Sequence, residues 1–321
     1  MGKNKNRRLP NIVLLLISLF AVLPALEICF RYIFIQTNGM DVTLSNSKWL
    51  ERHWKPINSF GLRDHEYTEE YLRGKKPVFV VGDSFAAGVG IEDIKDRFGS
   101  ILGSKLGNGF TVLNLAQRGW STDDELAALA EFPYKPDIVV LWYYVNDIEG
   151  AAAKYDIFYP AAQKIYELKN SDNIFHLIRR HSYLIDFLYW RLYPLSIEKD
   201  SSWWSWLRGL YDDPLIWATH QEELDTMVAY ARFNKAKLYV VILPNLLDVR
   251  GSLDITGRVE RFFTDKDIKT INLAQDFLGI PAAKLVVNST DAHPGGFVHA
   301  FAAEKAYQAI VKDGGILLEH K

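Results

Sequence analysis

The sequence contains one cysteine among its 321 residues, Cys29, which lies in an apolar segment. No disulfide can therefore form within the chain, and the redox compartment stays undecided. The chain also lacks a large excess of either charge, since it contains 37 Lys and Arg and 39 Asp and Glu, which give a formal net charge of −2. Because no basic face is evident, the composition disfavours a nucleic-acid partner.

Two further absences concern metals and cofactors. The segment Gly88-x-Gly90 lacks the lysine and the serine or threonine of a phosphate-binding loop. Four histidines show no metal-ligand spacing with cysteine or acidic residues: His176, His181, His220 and His299. The sequence therefore predicts no metal and no cofactor.

One long apolar run is present, close to the N-terminus. Residues 12–26 carry no charge and follow a basic stretch. We expect residues 1–10 to be a cytoplasmic tail and residues 11–35 an uncleaved transmembrane signal anchor. The basic end should stay inside, which places the rest of the chain on the periplasmic (extracytoplasmic) side of the inner membrane.

Two other interpretations compete with an uncleaved anchor. A cleaved signal peptide is the first, but small residues are not well placed before a plausible cut. A lipoprotein site at Cys29 is the second, and Glu27 and Ile28 are poor residues to precede one. We therefore favour the anchor.

Residues 36–76 are polar and mixed in composition. We interpret them as a spacer that packs on the edge of the following domain. In its middle lies Asn58-Ser59-Phe60-Gly61-Leu62-Arg63-Asp64, which predicts a turn at Gly61.

From residue 77 onward, strand-like and helix-like segments alternate. Predicted strands cover 78–81, 111–115, 138–144, 238–243 and 270–273, and predicted helices cover 98–106, 122–132, 220–235 and 299–312. The strand at 138–144 is a continuous apolar run, which is typical of a central parallel strand. This alternation predicts a doubly wound three-layer α/β domain over residues 77–321.

Residues 150–217 interrupt that alternation and are rich in aromatic side chains. A connection this long is usually a lid or a binding insertion. Its aromatics could stack on sugar rings, line an acyl pocket or rest at a membrane interface, or they could simply pack a small helical subdomain. They are Tyr183, Phe187, Tyr189, Trp190, Tyr193, Trp203, Trp204, Trp206 and Trp217.

Candidate functional residues follow the predicted strands. They are Ser84, Gly119, Asn146 and the pair Asp291 and His293, which we expect on a loop. Open α/β sheets bind ligands at the carboxyl ends of their strands. Acyl transfer to a serine needs an imidazole base, a carboxylate that orients it, and donors for the oxyanion. These residue types supply each of those groups.

Four short segments resemble the sequence blocks of the SGNH/GDSL hydrolase superfamily, in the family's order. They are Gly82-Asp83-Ser84-Phe85, Gly119, Val145-Asn146-Asp147 and Asp291-Ala292-His293-Pro294. The resemblance covers residues 77–312 and implies a flavodoxin-like three-layer α/β/α sandwich with a parallel central sheet. It also implies a function and a set of site residues.

By this resemblance, Ser84 is the nucleophile, His293 the general base and Asp291 the residue that orients the base. The oxyanion hole is formed by the backbone N–H groups of Ser84 and Gly119 and by the side chain of Asn146. Two departures from the family pattern concern the shape of the substrate pocket. Tyr144 stands where the family usually has a glycine, and compact members lack the insertion at 150–217.

The sequence thus predicts a serine esterase that acts on O-acyl, most plausibly O-acetyl, esters of an exported glycan. The anchor, the spacer and the hydrolase-like domain together resemble membrane-attached bacterial members associated with exopolysaccharide acylation. Three alternatives remain: an O-acyltransferase that uses the same residues, a lipid esterase, and a non-catalytic glycan-binding or assembly protein. The acyl group, the acceptor and the oligomeric state are not specified by the sequence.

Overall fold

The computed structural model describes residues 8–39, 41–170, 173–192 and 202–314. Tyr193, one of the aromatics noted above, lies outside them. The chain divides into two compact units. One is drawn from Met1–Glu51 and Lys164–Glu198, and the other from Arg52–Gln163 and Lys199–Lys321.

The strands, numbered in chain order, are β1 (Lys76–Gly82), β2 (Phe110–Ala116), β3 (Ile138–Tyr144), β4 (Lys237–Leu243), β5 (Lys269–Asn272), β6 (Val286–Asn288) and β7 (Asp291–Pro294). The helices before β3 are α1 (Arg8–Tyr32), α2 (Leu44–His53), α3 (Glu69–Leu72), α4 (Ser84–Ala87), α5 (Phe98–Leu106) and α6 (Thr122–Glu131). Those between β3 and β4 are α7 (Glu149–Ala153), α8 (Pro160–Asn170), α9 (Ile174–Arg179), α10 (Tyr183–Leu192), α11 (Trp203–Asp212) and α12 (Pro214–Phe233). The last are α13 (Leu253–Thr264), α14 (Ala274–Phe277), α15 (Ala282–Leu285) and α16 (Gly296–Lys312).

The larger unit is built on a five-stranded parallel sheet with the order β2-β1-β3-β4-β5. Every residue of β3 is buried, as its continuous apolar sequence predicts for a strand covered on both faces. This strand order is the flavodoxin-like one, in which the chain reverses direction across the sheet between β1 and β3. The predicted fold class is confirmed.

The core of this unit contains side chains from the sheet and from the helices packed on it. Trp142, Tyr143 and Tyr239 are among its largest fully buried side chains. On α5, Phe98, Leu102 and Leu106 are buried, so the spacing of apolar residues in the sequence marked the buried face of this helix.

The smaller unit is held by contacts between α1 and α10. The Glu27 carboxylate accepts hydrogen bonds from Ser182 Oγ at 2.8 Å and from the backbone N–H groups of Tyr183 and Leu184 at 3.1 and 3.0 Å. It therefore satisfies N–H groups in the first turn of α10 that have no partner within that helix. Arg179 and Asp186 form a buried ion pair at 2.7 Å.

Within α1, the segment Asn11–Tyr32 is long and apolar enough to cross a membrane, with a mean hydropathy of 2.6. It is the one such helix among the described residues, and it is not buried in the protein. By length and composition it fits a membrane anchor and fits a signal sequence equally.

Candidate active site

The nucleophile candidate Ser84 lies directly after β1, where the chain turns into the short helix α4. Asp83 caps that helix, since its Oδ1 accepts a hydrogen bond from the Phe85 N–H at 2.8 Å. Gly88 ends the helix in the left-handed conformation, with φ of 80°, and its N–H returns to the Ser84 carbonyl at 3.1 Å. The turn that presents Ser84 is therefore fixed at both ends.

The structure brings His293 and Asp291 to this serine. His293 Nε2 lies 2.9 Å from Ser84 Oγ, and His293 Nδ1 lies 2.5 Å from Asp291 Oδ1. The Asp291 side chain is fully buried, whereas that of His293 is 12% exposed. With Nδ1–H bonded to Asp291, Nε2 is the ring nitrogen whose lone pair can accept the serine proton.

The expectation that Asp291 and His293 lie on a loop is wrong. They occupy β7, which pairs antiparallel with β6. Side chains two apart along a strand point to the same face, so the carboxylate and the imidazole are placed side by side. The His293 N–H also donates to Asp291 Oδ1 at 3.0 Å, which holds the carboxylate from a second direction.

Asn146 follows β3 and is linked to Ser84 through the buried Asp83. Its Nδ2 donates to Asp83 Oδ2 at 3.2 Å, and Ser84 Oγ lies 3.5 Å from the same oxygen. Burial raises the pKa of Asp83, and the hydrogen bond from Phe85 opposes that shift. Because β1 and β3 flank the point where the strand order reverses, these residues lie where this fold type places its ligands.

Gly119 lies in the loop after β2, exposed and with φ of 78°. Gly82 at the end of β1 is in register with Ala116 at the end of β2, so both loops leave the same edge of the sheet. The described contacts join Ser84, His293, Asp291 and Asn146 directly or through Asp83, and they give no hydrogen bond for the Gly119 N–H.

The Tyr144 ring, which stands at the family's glycine position, stacks on Phe85. Their centroids are 3.8 Å apart and their planes differ by 21°. The Phe85 ring in turn lies 4.9 Å from that of His293. The base therefore has the Phe85 ring beside it, and Tyr144 supports that ring from the other side of the stack.

Asp83 and Asp147 both brace their loops by accepting hydrogen bonds from backbone N–H groups. Asp147 Oδ2 accepts from the Tyr144 N–H at 3.1 Å, as Asp83 does from Phe85. Burial and the nearby Glu125 raise the pKa of Asp147 well above its usual range.

Sequence reasoning missed the contribution of residues 53–64 to this region. Their composition suggested a spacer that packs on the edge of the domain, whereas Leu62, Arg63 and Asp64 are all buried inside the larger unit. The available signal was Asn58 ahead of Gly61, which predicts a tight turn able to direct Leu62 and Arg63 inward.

No protein-family model and no curated protein is similar enough to the sequence to count as a match. Among solved structures, the chain is similar to the lipase/acylhydrolase from Enterococcus faecalis, with 14% identity, 74% of this chain and 96% of that chain covered, and a TM-score of 0.46. It is also similar to the lipase Lip_vut3 from a goat rumen metagenome, with 18% identity and a TM-score of 0.44. The match covers 73% of this chain and 97% of the lipase chain. A third similar structure is that of the acetyl xylan esterase AlAXEase, with 13% identity and a TM-score of 0.44. The match covers 73% of this chain and 99% of the esterase chain. Structural similarities this distant do not identify the substrate of the present chain.

Proposed function

We propose that this chain is a serine esterase of the SGNH/GDSL type that cleaves O-acyl esters through an acyl-serine intermediate. The observation that carries the proposal is the hydrogen-bonded series from Ser84 Oγ to His293 Nε2 and from His293 Nδ1 to Asp291. A serine hydroxyl is a weak nucleophile until an adjacent base removes its proton. This arrangement supplies that base and orients it.

The reaction would proceed in two halves. Ser84 Oγ attacks the ester carbonyl while its proton passes to His293 Nε2, and the resulting imidazolium is stabilised by Asp291. The C–O bond then breaks, and the leaving alcohol takes the proton from His293. Water next attacks the acyl-serine carbonyl and gives a proton to His293 Nε2. The bond between the acyl carbon and Ser84 Oγ then breaks, His293 returns that proton to Ser84 Oγ, and the acid is released.

The oxyanion formed in each half needs preorganised donors. We assign the Ser84 N–H, the Gly119 N–H and the Asn146 side-chain amide to this role. The Asn146 Nδ2 atom carries two hydrogens, so its bond to Asp83 leaves a second hydrogen for the oxyanion.

We propose a short acyl group, most simply acetyl, on an exported glycan. The Phe85 ring lies beside His293 and stacks on Tyr144, and we expect this aromatic pair to favour a small acyl chain. Tryptophans on α11 supply flat apolar faces of the kind that bind sugar rings. The anchor at residues 11–35 would hold the catalytic domain 77–321, with its insertion at 150–217, on the periplasmic side of the inner membrane.

The test is labelling of the full chain in detergent with a serine-directed fluorophosphonate, together with turnover of a short-chain acyl ester. We expect Ser84→Ala to abolish labelling, and Asp291→Asn to lower kcat by roughly 10³- to 10⁴-fold because the imidazole loses its oriented tautomer. Ser205→Ala on the exposed side of α11 and Asp276→Asn in an ion pair with Lys305 are the matched controls.

Persistent labelling of Ser84→Ala, or a folded wild type that does not react, would overturn the proposal and favour a glycan-binding protein. Two further measurements separate the remaining alternatives. Consumption of the acyl donor that depends on an added sugar acceptor would identify an acyltransferase. Turnover that rises with acyl-chain length would identify a lipid esterase.

A further inference from the structure

Residues 53–64 enter the larger unit through a tight turn and a buried arginine. Asn58 Oδ1 accepts hydrogen bonds from the N–H groups of Phe60 and Leu62 at 3.1 and 3.0 Å, and this turn sends Arg63 into the interior. Arg63 is fully buried. Burying a guanidinium is costly unless its donors are satisfied, so its partners indicate what this residue does.

The Arg63 guanidinium bonds to main-chain carbonyls. Nη1 donates to Gly88 O at 2.6 Å, and Nη2 donates to Ile91 O at 2.7 Å and to His53 O at 2.8 Å. A third and longer contact of Nη2 reaches Glu92 O at 3.1 Å. The planar fork of an arginine suits several carbonyls at once, and a lysine cannot reproduce that geometry. Burial and Arg97 lower the pKa of Arg63 to about 10, so it stays charged at neutral pH.

The first of these carbonyls belongs to the turn that presents the nucleophile. Gly88 ends α4, and the N–H groups of Gly88 and Val89 both return to the Ser84 carbonyl at 3.1 Å. Arg63 therefore holds the far end of a four-residue helix whose first residue is Ser84.

The loop that Arg63 holds, residues 88–92, also contacts the strands that carry the base. Gly90 has φ of 82°, and a Cβ at this position would lie 2.3 Å from Val287 Cγ2. Val287 belongs to β6, which pairs with β7 and so with Asp291 and His293. The loop thus lies between the element that carries Ser84 and the element that carries its base.

The segment is itself fixed by a second buried arginine. Arg97 Nη2 lies 2.6 Å from Asp64 Oδ1, and Arg97 Nη1 donates to the Arg63 carbonyl. Asp64 Oδ2 accepts from Tyr67 OH at 2.5 Å and from the Asn114 N–H at 3.1 Å. Both charges of the Asp64–Arg97 pair are therefore satisfied, and the backbone of Arg63 has little freedom to move.

The same segment reaches the loop that carries Gly119. Gln117 Nε2 donates to Gly61 O at 2.9 Å. The Trp54 ring centroid lies 5.0 Å from the Arg63 guanidinium and 5.2 Å from that of Arg118, within the range of a cation–π contact. Residues 53–64 thus contact both the loop that follows the Ser84 helix and the loop that carries Gly119.

We propose that residues 53–64 are a positioning element for the reaction, and that Arg63 acts for it by fixing the 88–92 loop. Through that loop it sets the separation between Ser84 Oγ and His293 Nε2. This inference rests on the proposed function. Displacements of about 1 Å can cost on the order of 10²-fold in rate, so a loosened loop should lower kcat strongly. Because Arg63 is fully buried and bonded to main-chain carbonyls, we expect it not to contact the substrate and KM to change little.

The experiment compares Arg63→Lys with wild type in the full chain. The amount of fluorophosphonate bound when labelling is complete gives the number of active sites. The kcat for a short-chain acyl ester is then expressed per active site counted in this way. We expect Arg63→Lys to lower kcat per site by about 10- to 100-fold and to slow labelling similarly, with KM within about twofold. Arg179→Lys, which alters the buried arginine of the other compact unit, should keep wild-type kcat per site.

A purely structural role predicts fewer countable sites, each with wild-type kcat, and that result would overturn the inference. If Arg63→Lys does not fold, Trp54→Leu is the deciding variant. It removes the aromatic ring that contacts Arg63 and Arg118, and it keeps the buried ion pair between Asp64 and Arg97. A loss of at least about threefold in kcat per site supports the inference, and unchanged kcat per site overturns it. A folded wild type without labelling would instead refute the proposed function itself.

Discussion

At the scale of single residues, Asp83 beside the candidate nucleophile interacts with further buried acids that are costly to ionise. Burial, aided by neighbouring carboxyl groups, raises the pKa of Glu125 and of Asp147 well above the usual range. Neither carboxyl oxygen of Glu125 has a hydrogen-bond partner among the described residues, which favours its protonated form. Asp83 differs because Phe85 and Asn146 donate to it. Among Asp83, Glu125 and Asp147, Asp83 therefore has the most hydrogen-bond donors to stabilise a charged carboxylate.

Glu149 on α7 provides a pH-dependent test of this environment. It accepts a hydrogen bond from Trp203 Nε1 at 2.8 Å, and burial raises its pKa to about 7. A carboxyl whose pKa is raised in the folded state contributes stability below its unfolded pKa, and this contribution is lost as the pH rises through about 7. Glu149→Gln can still accept from Trp203 but does not ionise. We expect its stability relative to wild type to rise between pH 5 and pH 8, by roughly 1–3 kcal/mol.

Thermal or urea unfolding at pH 5, 6, 7 and 8 measures this difference. Glu131→Gln, at an exposed position at the end of α6, is the control and should show no such trend. A Glu149→Gln difference that stays constant with pH would mean that this carboxyl does not titrate in the window.

The sequence identified residues whose side-chain chemistry is distinctive. It did not identify residues whose role is to hydrogen-bond to main-chain carbonyls. Ser84 and Asn146 could be selected because a nucleophile and an amide donor follow strands that end at one edge of the parallel sheet. His293 could be selected because it lies two residues after Asp291, a carboxylate able to orient an imidazole base. Arg63 could not be selected, because its partners are carbonyls of Gly88 and Ile91, and any residue type carries a carbonyl. A buried arginine is also uncommon, so an arginine in a polar stretch is naturally assigned to the surface.

At the scale of secondary structure, long periodic elements were predictable and short ones were not. The predicted bounds of α5 and β3 are those observed, whereas α12 begins at Pro214, six residues before the prediction. Asp213 caps that helix and Pro214 occupies its first turn, which is a recognisable start signal. The pair β6 and β7 has no comparable signal, since strands this short and rich in Asn, Asp and Pro are stabilised by their surroundings.

The contact between the 88–92 loop and β6 yields a prediction at this scale. Gly90→Ala places a Cβ against Val287 and forces an alanine into the left-handed region. We expect a loss of about 2–4 kcal/mol in unfolding free energy, because backbone strain and overpacking add. We also expect a lower kcat per counted site, because the displaced strand pair carries His293.

Gly257→Ala on α13 is the matched control for that substitution. Its new Cβ meets only Arg261 Nη1, at 3.7 Å, and the position lies inside a helix where alanine is favoured over glycine. This variant should be more stable than wild type by up to about 1 kcal/mol. If Gly90→Ala proves as stable as Gly257→Ala, the loop does not pack on β6 as described.

At the scale of the whole molecule, the open issue is the orientation that we propose for the N-terminal helix. Asn11–Tyr32 is apolar enough to span a bilayer, and the basic residues that precede it should remain in the cytoplasm. The domain boundaries inferred from the sequence remain predictions. A cleaved signal sequence would share the same apolar segment, so the test must report both the side of the membrane and the retention of the N-terminus.

The single cysteine makes that test direct, because Cys29→Ser leaves a chain without thiols. Into this parent we would introduce either Lys3→Cys, in the basic tail, or Lys135→Cys, at an exposed position between α6 and β3. A membrane-impermeant maleimide applied to spheroplasts should label Lys135→Cys at once and Lys3→Cys only after lysis, with both proteins in the membrane fraction. The Cys29→Ser parent, which has no thiol, is the control and should not be labelled. Labelling in the opposite order would overturn the proposed orientation, and a soluble Lys135→Cys product that has lost its N-terminus would establish a cleaved signal sequence in place of an anchor.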